Sequence, residues 1–375
     1  MEENKLMNYL DAVLKNMPND WLELTTHRLD IYEEKLAKSQ FLEKFEDLFN
    51  QNISDSSSLN SLPTAYDYIR LGHPLSCVLE WSLAKVQGLD PNKVISFSSK
   101  TIPALAILRK NLLKNKKTLI CYSDKLPSCF DVDVIRMVYG YQFDVMKVET
   151  IEEVPEFDGT TVFISSENQM GQIHLSSNVD FFIQLYLDLG SVLIVNGHLN
   201  QEYISEIQHV RRRETISMTP SNCHLAIKSL IEKSTLEESK LGLDENKASV
   251  LNTIDEITGS HTNALVGSSG LSIQYAIMMG LIHDAIENHP GKQIKIIVPP
   301  NCYGGTNDQA RRVAACLDHV DVVDLPVDGD HDMVQSIDLV LNQIALDDAV
   351  PYIIAEIPTN PRVEVPNLLK LEETL

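Results

Sequence analysis

The sequence predicts an α/β fold with mostly parallel, doubly wound sheets, preceded by an N-terminal helical segment. Beyond residue 64, short apolar runs alternate with longer stretches of helical pattern, which is the order of elements in parallel-sheet proteins. The runs are apolar throughout, as expected of strands that helices cover on both faces. The strand candidates are VISFS (94–98), TLICYS (118–123), TVFIS (161–165), VLIVN (192–196), ALVGS (264–268), KIIVPP (295–300) and YIIAEI (352–357).

The first 50 residues are polar and predict a helical segment. Apolar side chains such as Leu6, Leu10 and Val13 recur near the period of a helix. The Ser- and Asn-rich stretch 51–64 has no apolar period, so we expect it to be a linker.

Composition and charge place the chain among ordinary globular proteins. Of its 375 residues, 43% are hydrophobic and 22% are charged, whereas a disordered chain has fewer apolar residues. The formal net charge of −22 argues against nucleic acid as the main partner, because clustered Lys and Arg bind phosphate backbones. The run Arg211–Arg213 is interpreted as a solvated helix face, with a phosphate-binding role as the alternative.

The N-terminus and the cysteine pattern predict a cytoplasmic protein that has no membrane partner. The first residues lack the basic and apolar regions of a secretory signal, and no apolar run approaches the roughly 20 residues of a membrane span. The six cysteines form no Cys-x-x-Cys pair, so we expect reduced thiols, mostly in the core. No metal site is predicted.

Two stretches of the chain share an order of features that suggests a tandem duplication. The alternative is that any two βαβ stretches look alike. The aligned positions are Gly88 with Gly259 and Ser98-Ser99 with Ser268-Ser269, within residues 78–108 and 250–278. The predicted organisation is a helical segment (1–50), a linker (51–64), a first domain (65–235) and a second domain (240–375).

The sharpest local feature is Gly267-Ser268-Ser269-Gly270, between an apolar run and a helical pattern. At such a junction the free N–H groups and the positive end of the helix point to one spot, which suits an anion such as phosphate. Ser and Gly also cap helices for structural reasons, so both interpretations stay open.

Three further segments carry candidate ligand residues. Tyr303 begins a Tyr-Gly-Gly-Thr turn after a strand, where α/β sheets place ligands and where an aromatic ring is able to stack on a planar group. Asn360, in Glu-Ile-Pro-Thr-Asn-Pro (356–361), offers an amide at another strand end. Tyr68 and Arg70 form an aromatic–basic pair in which the guanidinium suits an oxyanion, with a surface ion pair as the alternative.

Together and in this order, these motifs resemble the pyridoxal-phosphate enzymes of cysteine and methionine metabolism, which include cystathionine γ-synthase, the cystathionine lyases and methionine γ-lyase. The Tyr-Gly-Gly-Thr and Glu-x-Pro-x-Asn-Pro motifs carry most of the resemblance, which covers about residues 66–375 as two incomplete copies. It implies the aminotransferase-like fold-type I of pyridoxal-phosphate-dependent transferases, an oligomer, and pyridoxal 5'-phosphate as the cofactor.

The resemblance also implies residue roles. The Ser268–Gly270 loop would hold the cofactor phosphate, Tyr303 would stack on the pyridine ring, and Asn360 would lie near the ring hydroxyl or the substrate. In the family the Tyr-x-Arg pair reaches into the neighbouring subunit's site. The chain is therefore expected to form a homo-oligomer or an internal pseudo-dimer in which the first copy completes the second. The implied cofactor-binding residues are Ser268, Ser269, Gly270, Tyr303, Asn360, Tyr68 and Arg70.

Both copies depart from the family's motifs. In the first, Lys100 replaces the phosphate-loop glycine, Ser166 replaces the motif Glu, and Asn196 replaces the Asp that protonates the pyridine nitrogen. The second keeps its ligand motifs, but the pattern places its Asp and its Schiff-base Lys beyond Leu375. The implied activity, C–S lysis or γ-replacement on a sulfur amino acid, is thus expected of a completed chain. The alternatives are an inactive regulatory or binding chain, and a truncated or split enzyme that needs another chain.

Overall fold

The computed structural model describes residues 2–23, 34–66, 68–197, 200–236, 242–260, 264–327, 332–360 and 363–375. The chain divides into two compact units. The first unit comprises Met1–Asn111, Lys116–Cys129 and Phe143–Val266. The second comprises Leu112–Asn115, Phe130–Gln142 and Gly267–Leu375.

The fold is mixed α/β, and five of the seven strand pairings in its two sheets are parallel. The strands are β1 (Val94–Phe97), β2 (Thr118–Tyr122), β3 (Asp144–Lys147), β4 (Thr160–Glu167), β5 (Phe181–Tyr186), β6 (Gly190–Val195), β7 (Ile294–Val298), β8 (Val320–Asp324) and β9 (Val350–Ile353). Within the described residues, the helices are α1 (Glu2–Asn16), α2 (Glu34–Gln51), α3 (Ser56–Asn60), α4 (Pro74–Gln87), α5 (Ile102–Leu113), α6 (Val132–Tyr139), α7 (Glu202–Glu214), α8 (Pro220–Glu232), α9 (Leu243–Thr258), α10 (Gly270–Asn288), α11 (Gly304–Ala314), α12 (Met333–Leu346) and α13 (Leu368–Thr374).

The first unit contains a six-stranded sheet in the order β1-β6-β5-β4-β2-β3. β2, β3, β4 and β5 pair in parallel, and β6 runs antiparallel between β5 and β1. Every residue of β5 and β6 is buried, as in a sheet with both faces covered. β5 was not among the predicted strands, although its sequence FFIQLY is continuously apolar apart from one Gln.

The N-terminal helices of the first unit pack on α4 through an aromatic cluster. The ring of Trp81 contacts Phe45 and Phe49 edge-on, at centroid distances of 5.1 and 5.2 Å. Tyr9 contacts the same two phenylalanines, at 5.7 and 5.2 Å. The helical pattern predicted for the start of the N-terminal segment is found in α1, where Leu6, Tyr9, Leu10 and Val13 are all buried.

Helix α4 begins at a capping box built on His73. The Nδ1 atom of His73 accepts a hydrogen bond from the Ser76 N–H at 3.2 Å, and the Ser76 hydroxyl accepts one from the His73 N–H at 2.9 Å. Pro74 stands at the first helical position, where its missing N–H costs nothing. The helix ends at Gly88, whose φ of +65° is the left-handed conformation that glycine adopts without strain.

The second unit contains a three-stranded parallel sheet in the order β8-β7-β9. Helix α10 has 19 residues and buries one apolar face, including Leu271, Tyr275 and Ile282. A small core forms where α12 and α13 pack near Ile297 of β7, with Leu325 and Ile337 fully buried.

One predicted strand is not formed, and the predicted linker contains a short helix. Residues 264–268 form no strand, and Leu265 and Val266 are largely exposed there. The predicted linker 51–64 contains helix α3, which Asp55 caps by accepting a hydrogen bond from the Ser58 N–H at 3.0 Å. Leu59 of this helix is buried in the core of the first unit.

The run Arg211–Arg213 is not a solvated helix face, so this interpretation is also wrong. Arg211 is fully buried and pairs with Glu80 at 2.7 Å, while Arg212 and Arg213 are half-buried. The Arg211 guanidinium also donates to the Ser96 carbonyl at 3.0 Å. Burial of Arg is tolerated here because a carboxylate and a carbonyl replace its hydration.

The cysteines are free thiols, as predicted. Cys77, Cys121, Cys223 and Cys302 are buried, Cys316 is half-buried and Cys129 is exposed. In the part of the chain that the structure describes, no group of three or more His, Cys, Asp or Glu side chains is placed to hold a metal ion. The same residues include no helix long and apolar enough to cross a membrane.

Candidate functional site

The Gly267–Gly270 loop leads into α10, the longest helix of the second unit's described residues. Ser269 is the N-cap, and its hydroxyl accepts a hydrogen bond from the Ser272 N–H at 3.1 Å. The Ser272 hydroxyl in turn accepts one from the Ser269 N–H at 2.8 Å, which completes a capping box. The loop therefore caps the helix, which is one of the two interpretations that the sequence left open.

Capping leaves an anion-binding position at the same helix end. Among the described residues, the N–H groups of Gly270 and Leu271 have no hydrogen-bond acceptor, because the first turn of a helix has no intrahelical partner for them. Ser268 is exposed, and a Cβ added at Gly270 would meet no atom within 4 Å. The positive end of a helix and open space thus coincide, as a phosphate requires.

Tyr303 lies at the carboxyl end of β7 and is the N-cap residue of α11. Its N–H donates to Glu356 Oε2 at 2.9 Å, and the Thr306 hydroxyl donates to the other oxygen of that carboxylate. Glu356 follows β9, and α11 follows the neighbouring strand β7. The Glu356 carboxylate therefore caps the N-terminus of α11. An acidic group at a helix N-terminus is favoured by the helix dipole.

A chain of side-chain amides connects this carboxylate to α10. The Thr306 hydroxyl lies 3.1 Å from Gln274 Oε1, and Gln274 Nε2 donates to Gln309 Oε1 at 3.1 Å. Gln309 Nε2 donates to the Leu271 carbonyl at 2.9 Å, inside the first turn of α10. The two helix N-termini, of α10 and α11, are therefore fixed against each other at one end of the sheet.

Sequence reasoning identified Glu356 only as a motif residue and missed Thr306, Gln274 and Gln309 as connecting groups. Gln309 is fully buried. The sequence could indicate its role only if its hydrogen-bond partners were known, because buried polar side chains are normally hydrogen-bonded. Cys302, next to Tyr303, has no such role in the network. Burial and the nearby Glu356 carboxylate raise the pKa of its thiol to about 11, which keeps it protonated.

Asn360 lies in a turn that follows β9, and its side chain is exposed. The turn is held by Thr359, whose N–H donates to the Glu364 carbonyl at 3.0 Å and whose hydroxyl accepts from the Glu364 N–H at 2.9 Å. No hydrogen bond of the Asn360 amide is present within residues 332–360 and 363–375. Pro361, the last residue of the predicted motif, lies outside the described residues.

Tyr68 and Arg70 belong to the first unit, whereas the other candidate residues belong to the second. The Arg70 guanidinium donates to the Tyr68 hydroxyl and lies 4.4 Å from the centre of its ring. Arg70 is buried, and its carbonyl accepts the Ser217 N–H at 2.8 Å. The pair is thus a buried contact, not the exposed ion pair that was the alternative. Its predicted contribution to the cofactor site stays a prediction.

In the first unit, the position predicted for the family's aspartate is wrong. β6 is antiparallel to β5, so Asn196 lies where the parallel strands begin, and ligands of α/β sheets bind at the opposite edge. Asn196 Nδ2 donates to the carbonyls of Ser176 and Val179, at 2.9 and 2.7 Å. Its amide therefore fastens a connecting loop.

The described residues include groups that fit the phosphate of pyridoxal phosphate. The α10 N-terminus offers two N–H donors and space, as a phosphate requires. Covalent attachment as a Schiff base needs a lysine. Lys292 and Lys295 instead pair with surface aspartates, each at 2.6 Å.

Known proteins resemble the chain only distantly. No family profile matches its sequence, and no curated protein matches it either. Three solved structures that match it are cystathionine γ-synthase from Xanthomonas oryzae pv. oryzae, cystathionine γ-lyase from yeast, and a putative O-acetylhomoserine (thiol)-lyase from Campylobacter jejuni with a pyridoxyl-lysine phosphate.

The identities are 11%, 12% and 14%, and the TM-scores are 0.31, 0.35 and 0.33, in the order given above. The matches cover 54%, 66% and 68% of this chain, and 60%, 68% and 75% of the matched chains. The chain thus spans 60% of the length of the Xanthomonas cystathionine γ-synthase chain that it matches. At these TM-scores the likeness carries no argument about the candidate site, which depends on its own geometry.

Proposed function

We propose that the second unit binds pyridoxal 5'-phosphate, with the phosphate at the N-terminus of α10 and the pyridine ring against Tyr303. The observation that supports this most is the coincidence of unpartnered Gly270 and Leu271 N–H groups with a hydrogen-bonded network that fixes α11 beside them. The order of the motifs in the sequence supports pyridoxal phosphate as the ligand. The N-terminus of α10 supplies the N–H donors and the positive potential that a phosphate requires.

Each residue of the site has one task in this proposal. The Gly270 and Leu271 N–H groups and the Ser268 hydroxyl donate to the phosphate, and Glu356 orients Tyr303 by accepting its N–H. The Asn360 amide lies free to reach the ring hydroxyl or a substrate. When bound, the cofactor supplies an electron sink for charge that develops on an amino-acid carbon.

The test is binding of pyridoxamine 5'-phosphate, which forms no Schiff base, to the purified chain, followed by its fluorescence. Ser268→Asp places a negative charge beside the phosphate, and Ser268→Asn is the neutral control of the same size. Because Ser268 is exposed and is not the N-cap, both variants should fold. We expect Ser268→Asp to weaken binding at least tenfold and Ser268→Asn to change it less than threefold.

Equal affinity of the two variants would contradict the phosphate position. A parallel titration with pyridoxal 5'-phosphate, followed by borohydride reduction and peptide mass mapping, tests for covalent attachment. A single labelled lysine would overturn the expectation that the described residues supply no Schiff-base lysine.

We extend the proposal to substrates that are sulfur-containing amino acids, with C–S lysis or γ-replacement as the reaction of a chain that is completed by a lysine and an aspartate. The sequence motifs support this, because they are those of the transsulfuration family. An inactive binding chain is the competing outcome. Release of thiol or keto acid from cystathionine by the cofactor-loaded chain would support activity, and cofactor binding without turnover would support the inactive chain.

We also propose that residues 65–235 and 240–375 arose by tandem duplication. Strands β3-β2-β4 of the first unit and β8-β7-β9 of the second have the same order and are all parallel. Helices α4 and α9 both end at a left-handed glycine, Gly88 and Gly259, each with a φ of +65°. The aligned glycines therefore have the same backbone role in both copies.

The expected internal pseudo-dimer is part of this proposal. If Tyr68 contributes to the cofactor site, Tyr68→Phe should weaken pyridoxamine phosphate binding severalfold, because it removes one hydroxyl and keeps the ring beside Arg70. Tyr9→Phe is the control, because it also removes one hydroxyl of the first unit, the one that donates to the Ile53 carbonyl. Light scattering of the same samples separates an internal arrangement from a homo-oligomer.

A further inference from the structure

The outer edge of β9 in the second unit is open. The Val350 N–H donates to the Gln293 carbonyl at 2.8 Å, on the β7 side of the strand. The Ile354 N–H donates to the Ile297 carbonyl of β7 at 3.0 Å. Because the backbone groups of successive strand residues point to opposite edges, those of Ile353 point away from β7. Among the described residues no strand pairs with that edge, and an edge of this kind is able to accept a further strand.

An apolar groove of about 290 Å³ lies between α10 and the segment 352–355. Helix α10 contributes Ile277 and Leu281, which are 47% and 37% exposed. The sheet contributes Ile296 of β7 and Tyr352 of β9, which are paired neighbours on one face. Helix α11 packs on α10 and β8, on the side away from β9, so the groove opens at the β9 edge. Exposed apolar side chains grouped in this way are typical of an interaction surface.

The first sheet shows what covers an edge of this kind. β4 has the place in β3-β2-β4 that β9 has in β8-β7-β9, and all of these strands are parallel. The outer edge of β4 pairs in parallel with β5, whose sequence FFIQLY is apolar apart from one Gln and is buried at every residue. The comparison uses observed pairings and does not depend on a common origin of the two sheets. The corresponding occupant of the β9 edge is an extended apolar segment that runs parallel to β9.

Asp284 adds a charge preference at one end of the groove. It lies on the same face of α10 as Ile277 and Leu281, since residues three and four apart are neighbours on a helix. Burial and the nearby Asp284 carboxylate raise the pKa of Tyr352, so this carboxylate lies toward β9. The Asp284 carboxylate accepts Asn288 Nδ2 at 2.8 Å, and no ion pair of Asp284 is present among the described residues. A basic residue at this end of the incoming strand would therefore be favoured.

We propose that the β9 edge is a docking site for a strand of a partner polypeptide, which pairs in parallel with β9 and places apolar side chains in the groove. The partner segment is extended, apolar over the six residues that β5 has, and preceded by a basic residue. Backbone groups at the open edge, those of Ile353 among them, would supply the affinity, and the groove would select the side chains. The site uses none of the residues that the cofactor proposal assigns to the phosphate or to the ring.

The test is fluorescence anisotropy of a labelled peptide titrated with the full chain. The peptide is Lys-Lys-Phe-Phe-Ile-Gln-Leu-Tyr, which joins the β5 sequence to two leading lysines. The control peptide has Pro in place of Ile, because Pro removes one backbone N–H and is disfavoured in a paired strand. We expect the Pro peptide to bind at least tenfold more weakly. Glu in place of both lysines should weaken binding at least threefold at low ionic strength, and less at high salt.

A matched pair of protein variants tests the groove. Leu281→Asp places a charge in the groove and should weaken binding of the first peptide at least tenfold. Leu339→Asp is the control and should leave the affinity unchanged, because Leu339 is an exposed leucine of α12 that does not line the groove. Ile277→Asp is the second groove variant, should Leu281→Asp fail to fold. Hydrogen exchange of residues 350–355 should slow when the peptide is bound, and that of residues 320–324 should not.

The proposal is overturned if the first peptide does not bind, if the Pro peptide binds equally well, or if the Leu281 and Leu339 variants behave alike. Light scattering of the chain without peptide tests the other occupant. A dimer that Leu281→Asp dissociates and Leu339→Asp does not would show that a second copy covers this edge, which would also overturn the proposal. Binding of one peptide to each monomer would support it.

Discussion

At the scale of single residues, Glu80 organises the interior of the first unit. Its carboxylate is fully buried and accepts hydrogen bonds from Lys38 at 2.5 Å, from Arg211 at 2.7 Å, and from both the N–H and the hydroxyl of Ser96 at 2.8 Å. Burial alone would raise the pKa of Glu80, but the two cations lower it to about 2. The carboxylate thus stays charged and joins α2, α4, β1 and α7.

Glu80→Gln removes the negative charge and leaves two buried cations with a neutral partner. We expect it to lower the free energy of unfolding by about 3 to 5 kcal/mol, the cost of breaking a buried pair. The measurement is urea denaturation followed by circular dichroism. Glu46→Gln is the control, because Glu46 also binds a lysine but its side chain is 30% exposed, and it should cost about 1 kcal/mol or less. Similar losses for both variants would contradict the role of burial.

His73 gives the first unit a dependence on pH. Burial lowers its pKa from the ordinary value of 6.5 to about 4. Its Nε2 donates to the Met218 carbonyl at 2.7 Å, and Nδ1 accepts from Ser76, so both nitrogens are occupied in the neutral form.

The sign of this dependence follows from proton binding. Between pH 6.5 and about 4 the unfolded chain binds a proton at His73 that the folded chain does not, so stability falls as pH decreases. We expect His73→Asn, which keeps a cap acceptor, to reduce the slope of stability against pH in this window by up to about 1.4 kcal/mol per pH unit. Equal slopes for both proteins, from urea denaturation at several pH values, would rule out His73 as the titrating group.

At the scale of elements, the β5–β6 hairpin depends on one glycine. Gly190 has a φ of +119°, and a Cβ built there would lie 2.1 Å from the Phe97 carbonyl of β1. Any side chain at this position would therefore push β6 away from β1, its antiparallel neighbour.

Gly190→Ala should lower the free energy of unfolding, measured by urea denaturation, by more than about 1 kcal/mol. Gly280→Ala should instead raise the free energy of unfolding. Gly280 lies inside α10, is exposed, and has no atom within 4 Å of an added Cβ, so Ala should stabilise the helix by about 0.5 to 1 kcal/mol. A neutral Gly190→Ala would show that the hairpin is able to relax.

The strands show how much of the fold the sequence could predict. Apolar runs correctly located strands at 94–98 and 118–123, because covered strands need no polar face. ALVGS has the same pattern but forms no strand, because strand formation also requires pairing with a distant segment, which a local pattern does not show. The buried state of Arg211 was missed for the same reason, since Glu80 is 131 residues away in the chain.

The candidate site was predictable in part. Motif order singled out Tyr303 and the Gly267–Gly270 loop, and the structure places both at helix N-termini that one network connects. Their roles in binding stay predictions. The middle of that network is formed by Gln274 and Gln309, which lie on different helices and 35 residues apart in the sequence, and no local pattern indicates such a contact.

At the scale of the whole molecule, the two units differ in how deeply their sheets are covered. β5 and β6 of the first unit are buried at every residue and have a strand on each side. In the described second unit, β8 and β9 each pair only with β7, and both have exposed residues.

Hydrogen exchange measured by mass spectrometry should reflect this difference. Amides of β5 and β6 should exchange only by extensive unfolding, whereas those of β8 and β9 should exchange by local opening, at least a hundredfold faster. Peptides that cover 181–195 and 320–324 provide the comparison. Equal protection of the two regions would mean that the second unit is stabilised by contacts beyond its own sheet.

Because the cysteines differ in exposure and in thiol pKa, dye labelling of the native cysteines reports unfolding of the protein. Cys129 is the exposed cysteine, whereas burial raises the pKa of Cys77 to about 12 and that of Cys223 well above its usual range. A maleimide dye should therefore attach first at Cys129 in the native chain, since only an accessible thiolate reacts. Later labelling of Cys77 and Cys223 would time the opening of the first unit, residue by residue, without any engineered probe.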